Sequence, residues 1–569
     1  MAQCFAYAFG SVCLLSSSVV HAQRVPIDAG ALQRNLENQL PLLSPLELTE
    51  PKSHLNEVHT PKADVATVIV SRFELVGVKL IPEAEVQEVL QPFLGRQITF
   101  DDLQAACDAI EKRYRMRGYL VQAIVPPQTV KDGVITIMIT EATLGAVVID
   151  TPQGGSRFGA ERAAKYITWA NPPGRELDLQ AISRAIVILN EIPGVAVSSA
   201  MESGANDGET NLRLVLQDTP RYSATVEGNN FGSRSTGAAQ GVFQAALNNP
   251  LGYGDQLAVN GIYSQGSSYT QAAYNFPLLP NGLRGGVSGT YLNYKNVPAY
   301  QSNGGYGEAE TLGVSLAYPM VRSEGGNANV TLRYDTKSYL NYLIATDAVS
   351  SSYRINDISL GISGNHNDNL FGGGVNSGQI NFVIGRLNLQ SNSPANYGVY
   401  TPDSYVKLTY SGNRVQTLIP NVSNLLISLS GQFANQNLNS AEQFYLGGPY
   451  GVRAYPVAQG AGAQGAQATI EYQHSLSNDV LGIAFVDAGV VQQYISTYPN
   501  WQGNTNADNV YHLYGAGFGF KWNVEGVSVA ATVAWKLRAN PLYNQQGQQV
   551  NVDNSTTNPR AWLTASYGF

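Results

Sequence analysis

Charged side chains are scarce in this sequence. Asp, Glu, Lys and Arg make up 13 % of its 569 residues, against the roughly 25 % usual for soluble domains. No long apolar run takes their place, so a bundle of spanning helices is not indicated. Few charges without continuous hydrophobicity suit a membrane β-barrel, whose signal is alternation. Basic excess is lacking too. The net charge of −8 offers no basic face for nucleic acid. Three cysteines are present, at 4, 13 and 107, and the first two fall in a segment expected to be removed. That excludes a disulfide framework and a cysteine metal cluster. Six histidines, at 21, 54, 59, 366, 474 and 512, form no H-E-x-x-H, and no G-x-S-x-G occurs. The glycines at 515, 517 and 519 lie in a strand-like run, not at a helix start, which argues against a nucleotide site. No enzyme activity, metal or cofactor is expected.

What is abundant is glycine (57) and tyrosine (32), pointing to many turns and many amphipathic aromatic anchors. Residues 1–22 carry no charge and lead through an apolar core to Val20-His21-Ala22. This is the pattern of a secretory signal peptide cleaved before Gln23, though without the positive n-region. Within 23–40, Asp28 can cap a short helix over 28–40 that places Leu32, Leu36 and Leu40 at fourfold spacing. Residues 41–67, with prolines at 41, 45, 51 and 61, read as a linker long enough to let that helix travel. A floppy leader is the plainer alternative.

Residues 68–142 read as strand, helix, helix, strand, strand. Pro82 opens the first helix at its first turn; Asp101 or Asp102 begins the second, which Gly118 closes. Lys131-Asp132-Gly133 turns between the closing strands. Residues 143–219 repeat the plan. Asp102-Leu103-Gln104-Ala105-Ala106-Cys107-Asp108-Ala109-Ile110 aligns with Asp178-Leu179-Gln180-Ala181-Ile182-Ser183-Arg184-Ala185-Ile186, six identities in nine at an offset of 76. Two tandem small α+β domains are implied.

Over 220–569 the texture becomes short alternating segments separated by Gly, Asn, Ser and Asp clusters. Sixteen are expected, starting near 221, 240, 257, 269, 285, 309, 328, 356, 377, 404, 424, 467, 482, 512, 526 and 560. An even number suits a closed antiparallel barrel, and closure is needed because lipid cannot satisfy free backbone groups. If the first strand rises from the periplasm, loops after odd strands are external. Those at 337–355, 386–403, 434–466, 490–511 and 537–559 are long and the alternate connections mostly short, as expected. The stretch near 364–376 is a long exception. The chain ends on an alternating segment closed by Phe569. A soluble β-sandwich is the competing fold.

Two stretches carry the functional signal: the glycine-rich Leu446-Gly447-Gly448-Pro449-Tyr450-Gly451-Val452-Arg453-Ala454-Tyr455-Pro456, and Phe485-Val486-Asp487-Ala488-Gly489. Alternation puts Phe485, Asp487 and Gly489 on one face. A carboxylate facing lipid is expensive, so that face is the lumen. The loop at 434–466 can fold back inside and bring Arg453 to Asp487 as a bidentate pair. A solvated arginine that never meets the carboxylate is the alternative.

The tandem domains, the sixteen-strand barrel, the Val452-Arg453-Ala454-Tyr455 tip, the F-x-D-x-G strand and the terminal aromatic resemble the transporter component of two-partner secretion systems. This is the haemolysin/haemagglutinin secretion-activation type of the outer-membrane assembly superfamily, whose tandem domains are called POTRA domains. The resemblance implies a sixteen-strand transmembrane β-barrel in the bacterial outer membrane, with two periplasmic POTRA-like domains and an N-terminal plug helix carrying Leu32, Leu36 and Leu40. It makes Val452, Arg453 and Tyr455 the loop motif, Phe485, Asp487 and Gly489 its partner on the barrel wall, and Phe569 the terminal assembly signal. Ala454 stands where the motif has glycine, and alanine is strained there if the position needs a positive φ. The implied partners are a large secreted exoprotein (adhesin, cytolysin or haem-acquisition type), outer-membrane lipid, and the barrel-assembly machinery during biogenesis. The exoprotein would bind the tandem domains unfolded, through main-chain hydrogen bonds at a strand edge, then thread the barrel once the plug helix leaves. A barrel-assembly insertase is the alternative function; a passive porin leaves the periplasmic domains unexplained.

Overall fold

The computed structural model describes residues 28–40 and 67–569, apart from 303, 324, 395–396, 503–507, 544–546, 548, 550 and 554. The expected signal peptide (1–22) and nearly all of the expected linker (41–67) lie outside the described residues.

Sixteen antiparallel strands close into a barrel, from the first at Tyr222–Asn229 to the last at Arg560–Gly568. Alternation sorts the two faces. Leu312, Val314 and Leu316 on the sixth strand (Gly305–Ser323), and Leu332 and Tyr334 on the seventh (Gly326–Leu343), are exposed on the outer wall. Asp335 and Tyr339 on the seventh are buried inside. An apolar exterior and a largely polar interior are what a lipid-embedded barrel requires.

Two of the expected long connections are strand for most of their length. The stretch 337–355 is not a long loop: the seventh strand runs to Leu343 and the eighth starts at Val349. Lys337, Asn341 and Ser351 looked like loop residues because polar side chains that face the lumen break the apolar pattern. The long exception at 364–376 likewise dissolves, since strands eight and nine extend to Asp368 and from Gly374, leaving a short turn. Long loops do occur at the end far from the small domains, between Ala434 and Gln464 and between Lys536 and Arg560.

The small domains share one topology. In the first, Arg72–Val76 pairs parallel to Val134–Glu141, which pairs antiparallel to Val121–Ile124. In the second, Thr143–Asp150, Glu209–Asp218 and Val195–Ser203 repeat that arrangement. Each sheet carries two helices: Glu83–Leu90 and Phe100–Met116, then Ala160–Ala170 and Leu179–Asn190. Pro82 is the N-cap of its helix rather than inside the first turn. The next helix is capped by Thr99, not by Asp101 or Asp102. Thr99 Oγ1 accepts from the Asp102 amide (3.1 Å), and Asp102 Oδ2 accepts from the Thr99 amide (2.8 Å), a reciprocal capping box. Gly118 then turns left-handed at φ +89°. The second domain docks on the near-end turns of the barrel. Arg322 on the sixth strand, with no side-chain exposure, pairs with Glu191 at 2.5 Å, and from the domain Arg162 donates to the Gly252 carbonyl and Arg184 to the Pro319 carbonyl.

Candidate functional site: a lumen filled by a helix and an inturned loop

The helix Ala29–Glu37 lies within the barrel. Asp28 caps it, its carboxylate accepting from the Ala31 amide at 2.8 Å. An isolated helix this short is marginal in water, so its order comes from burial. Leu32, Leu36 and Leu40 are 4 %, 1 % and 8 % exposed. Its polar face is buried as well: Gln33 Nε2 donates to Thr311 Oγ1 (3.0 Å) and Thr290 Oγ1 (3.2 Å), and the Ala29 amide donates to Asn341 Oδ1 (2.8 Å).

The loop between the eleventh strand (Ser423–Ala434) and the twelfth (Gln464–Ser475) folds inward and holds both the helix and the wall. Near its start, Ser440 Oγ donates to Asp28 Oδ2 at 2.6 Å, and Ala441 packs so closely on Gly30 that a Cβ there would stand 2.8 Å from the alanine methyl. Glu442 reaches the wall on the other side, pairing with Lys337 at 2.8 Å and with Lys407 at 2.6 Å. Burial opposes ionisation of Glu442, but the two lysines outweigh it and hold its carboxyl below the usual range. The carboxylate form therefore persists at neutral pH, and the carboxylate's part in this anchor is lost as pH falls below the ordinary carboxylate range.

Farther along, the glycine-rich stretch delivers Arg453 to the wall. Nε and the backbone amide both donate to Asp487 Oδ2 (3.0 Å each), Nη2 to Asp487 Oδ1 (2.8 Å) and Nη1 to Glu471 Oε2 (2.8 Å). Thr469 Oγ1 gives Asp487 Oδ1 a further bond at 2.9 Å. The guanidinium lies 3.3 Å from the Phe485 ring centroid, a face an arginine plane favours. Trp562 on the last strand donates Nε1–H to the Arg453 carbonyl at 2.8 Å. Desolvation works against the Arg453 charge, and the two carboxylates more than restore it. Side-chain exposure is 11 % for Arg453 and 1 % for Asp487, so the pair is largely dry.

Val452, Ala454 and Tyr455 pack into an apolar cluster with Leu446, Phe485 and Leu513. Tyr455 donates its hydroxyl to the Arg538 carbonyl at 2.5 Å. Gly489 is needed for space, since a Cβ there would meet Leu446 Cδ2 at 2.6 Å. Gly448 in the stretch, and Ala458 and Gly460 just after it, are left-handed, and Ala454 is not. Alanine is tolerated at 454 because Gly515 opposite leaves its methyl room. Phe569 ends the chain exposed beside the last strand, edge-on to Tyr567 at 4.8 Å. Glu471, Thr469 and Trp562 escaped the sequence reading. Thr469 and Glu471 share one face of an alternating strand, a usable signal; nothing local marks Trp562 as a partner of Arg453, because that contact spans 109 residues.

A closed barrel plugged by its own helix and loop, with tandem α+β domains at one mouth, defines a POTRA-bearing barrel protein of the outer membrane. The chain belongs to the haemolysin secretion/activation protein family ShlB/FhaC/HecB, whose sequence model matches residues 208–522; a ShlB-type POTRA domain matches residues 68–142. It is 26 % identical to the heme/hemopexin transporter protein HuxB of Haemophilus influenzae (strain 86-028NP) over 84 % of this chain and 83 % of that protein. It is 24 % identical to the outer membrane transporter CdiB of Escherichia coli over 92 % and 89 %. Among solved structures, CdiB from Escherichia coli superposes with a TM-score of 0.70 at 19 % identity, covering 96 % of this chain and all of that one. BamA from Haemophilus ducreyi lacking POTRA domains 1–3 gives 0.50 at 14 %, covering 89 % and 100 %. The protein is thus a two-partner secretion transporter of the outer membrane, with its POTRA domains in the periplasm.

Proposed function

We propose that the protein captures one large exoprotein in unfolded form at its POTRA domains and conducts it through the barrel lumen to the cell surface. The observation that carries this reading is how the lumen is closed. Its fillers are a capped helix and an inturned loop, held by side-chain contacts to the wall rather than built into it. Such a filling can be withdrawn without breaking a barrel strand pair. In the same reading Arg453 with Asp487 holds the loop in its working position, while Leu32, Leu36 and Leu40 hold the helix in the resting pore. The strand Val195–Ser203 lies at the edge of the second sheet and is largely exposed; Asn190 covers the Val197 amide and carbonyl, and the rest of the edge offers an extended chain a place to pair. The outward apolar side chains meet membrane lipid. The last strand with Phe569 is the segment the barrel-assembly machinery receives during biogenesis. No chemical step is assigned; folding of the cargo outside biases its movement.

One feature favours a barrel-assembly insertase as the second reading. The first and last strands share five residue pairs, against eight or more at every other barrel junction. Comparing culture supernatant and outer membrane with and without the gene separates the two. Loss of one large secreted protein is expected; loss of many membrane barrels supports the insertase.

A further inference from the structure

The lumen wall carries an apolar belt that the barrel itself does not need. Val242, Ile262, Tyr269, Leu292, Ala309, Tyr339 and Tyr353 sit on seven successive strands, from the second to the eighth. Each is directly paired with the next. All seven face inward, none is more than 7 % exposed, and all belong to one cluster with Leu32, Leu36 and Leu40 of the helix. Tyr294, Ile355, Val383, Leu387 and Tyr405 widen the same cluster, and beyond it the lumen carries polar and charged groups such as Asn275, Asp357 and Lys407. At its far end the belt continues outward. Tyr353 stacks on Tyr339 (4.8 Å between centroids) and on Tyr397 (5.6 Å), which lies in the loop between the ninth and tenth strands. Tyr400 of that loop, 49 % exposed, stacks at 4.1 Å on Tyr498 of another outer loop.

We propose that this belt is the polypeptide-binding surface of the pore. An extended chain that presents apolar side chains at alternate positions takes the belt over from the helix and slides along it to the outer tyrosines. The inference rests on the reading that a polypeptide crosses the lumen. The seated helix serves as a stand-in, since its leucines show that the belt already accepts polypeptide side chains. A bare belt would expose apolar surface to water, at a cost proportional to its area. The helix therefore leaves most readily when another chain replaces it, which ties opening to cargo arrival. Tyrosine suits a surface that must accept many sequences, because it offers a large rigid amphipathic face at small entropic cost.

The test uses the full-length protein in proteoliposomes, with p-benzoylphenylalanine replacing Tyr339, Tyr353 or, as a lumen position off the belt, Asn275. The probe is a soluble 30-residue peptide alternating apolar and polar residues, compared with a wholly polar peptide of equal length. Labelling at 339 and 353 is expected to exceed that at 275, and that by the polar peptide, about tenfold. Tyr269→Ser should lower labelling at 353 several-fold, whereas Tyr269→Phe, which keeps the ring, should stay within twofold; heat-modifiable mobility checks that each barrel is folded. Equal labelling on and off the belt, or by both peptides, overturns the proposal. Belt labelling together with an unchanged supernatant on gene loss leaves the surface standing and removes the export reading instead.

Discussion

Arg453 directs three side-chain nitrogens and its own amide at two carboxylates while its plane covers an aromatic ring. Removing it leaves Asp487 buried at 1 % exposure without its main partner. Breaking such a pair from one side costs about 3–5 kcal/mol. Arg453→Ala is therefore expected to free the loop and to reduce export strongly while the barrel remains in the membrane. Proteolysis of the 435–463 loop in intact cells reads the first effect and cargo in the supernatant the second; undiminished export would count against a working lock. A second residue-scale prediction concerns space. A methyl at Gly515 would stand 2.8 Å from the Ala454 methyl, and overpacking of this kind costs about 1–3 kcal/mol. Gly515→Ala should loosen the loop in the same assay, and Ala454→Gly added to it should restore protection. Purely additive effects would show that the two positions do not meet.

At the scale of elements, helix and loop form one unit. The loop segment from Ser440 to Glu442 touches the helix through Asp28 and Gly30, and the wall through Lys337 and Lys407. Deleting residues 28–40 should raise the conductance of the protein in planar bilayers, and an unchanged trace would remove the plug assignment. A milder change grades the effect. Asp28→Ala removes an N-cap worth about 1 kcal/mol, roughly a fivefold shift in the seated-to-free ratio, so open events should become more frequent without a change in open-state conductance. The helix itself was legible from Asp28 and the fourfold leucines. The ionic anchor was not. Glu442, Lys337 and Lys407 are isolated charges far apart in sequence, and only the barrel brings them together.

For the whole molecule, the seam between the first and last strands distinguishes passage through the lumen from release through the wall. Gly228 lies directly opposite Ala565, and a Cβ at 228 has open space. Directly paired antiparallel residues fall within the Cα separation that a disulfide spans. The only cysteine among the described residues, Cys107, is buried and remote from the seam. Gly228→Cys with Ala565→Cys should therefore staple the barrel shut. Export is expected to continue in the oxidised protein, whereas an activity that opens the wall would stop until the staple is reduced.

Much of this architecture is written in local sequence, because alternation, turn residues and capping residues act over a few positions. Sixteen strands and two repeated domains follow from periodicity, and the inward face of Asp487 from alternation with the cost of a carboxylate in lipid, since a one-residue slip would turn lipid-facing side chains into the lumen. The errors share a cause: strands seven and eight continue through Lys337, Asn341 and Ser351, whose polarity serves the lumen and not a loop. Tertiary structure decided what no local pattern contains. Closure of the barrel placed Trp562 against Arg453, Glu442 between two lysines, and seven apolar residues from seven strands into one belt. Such contacts depend on register between distant segments, which is set only when the sheet closes on itself.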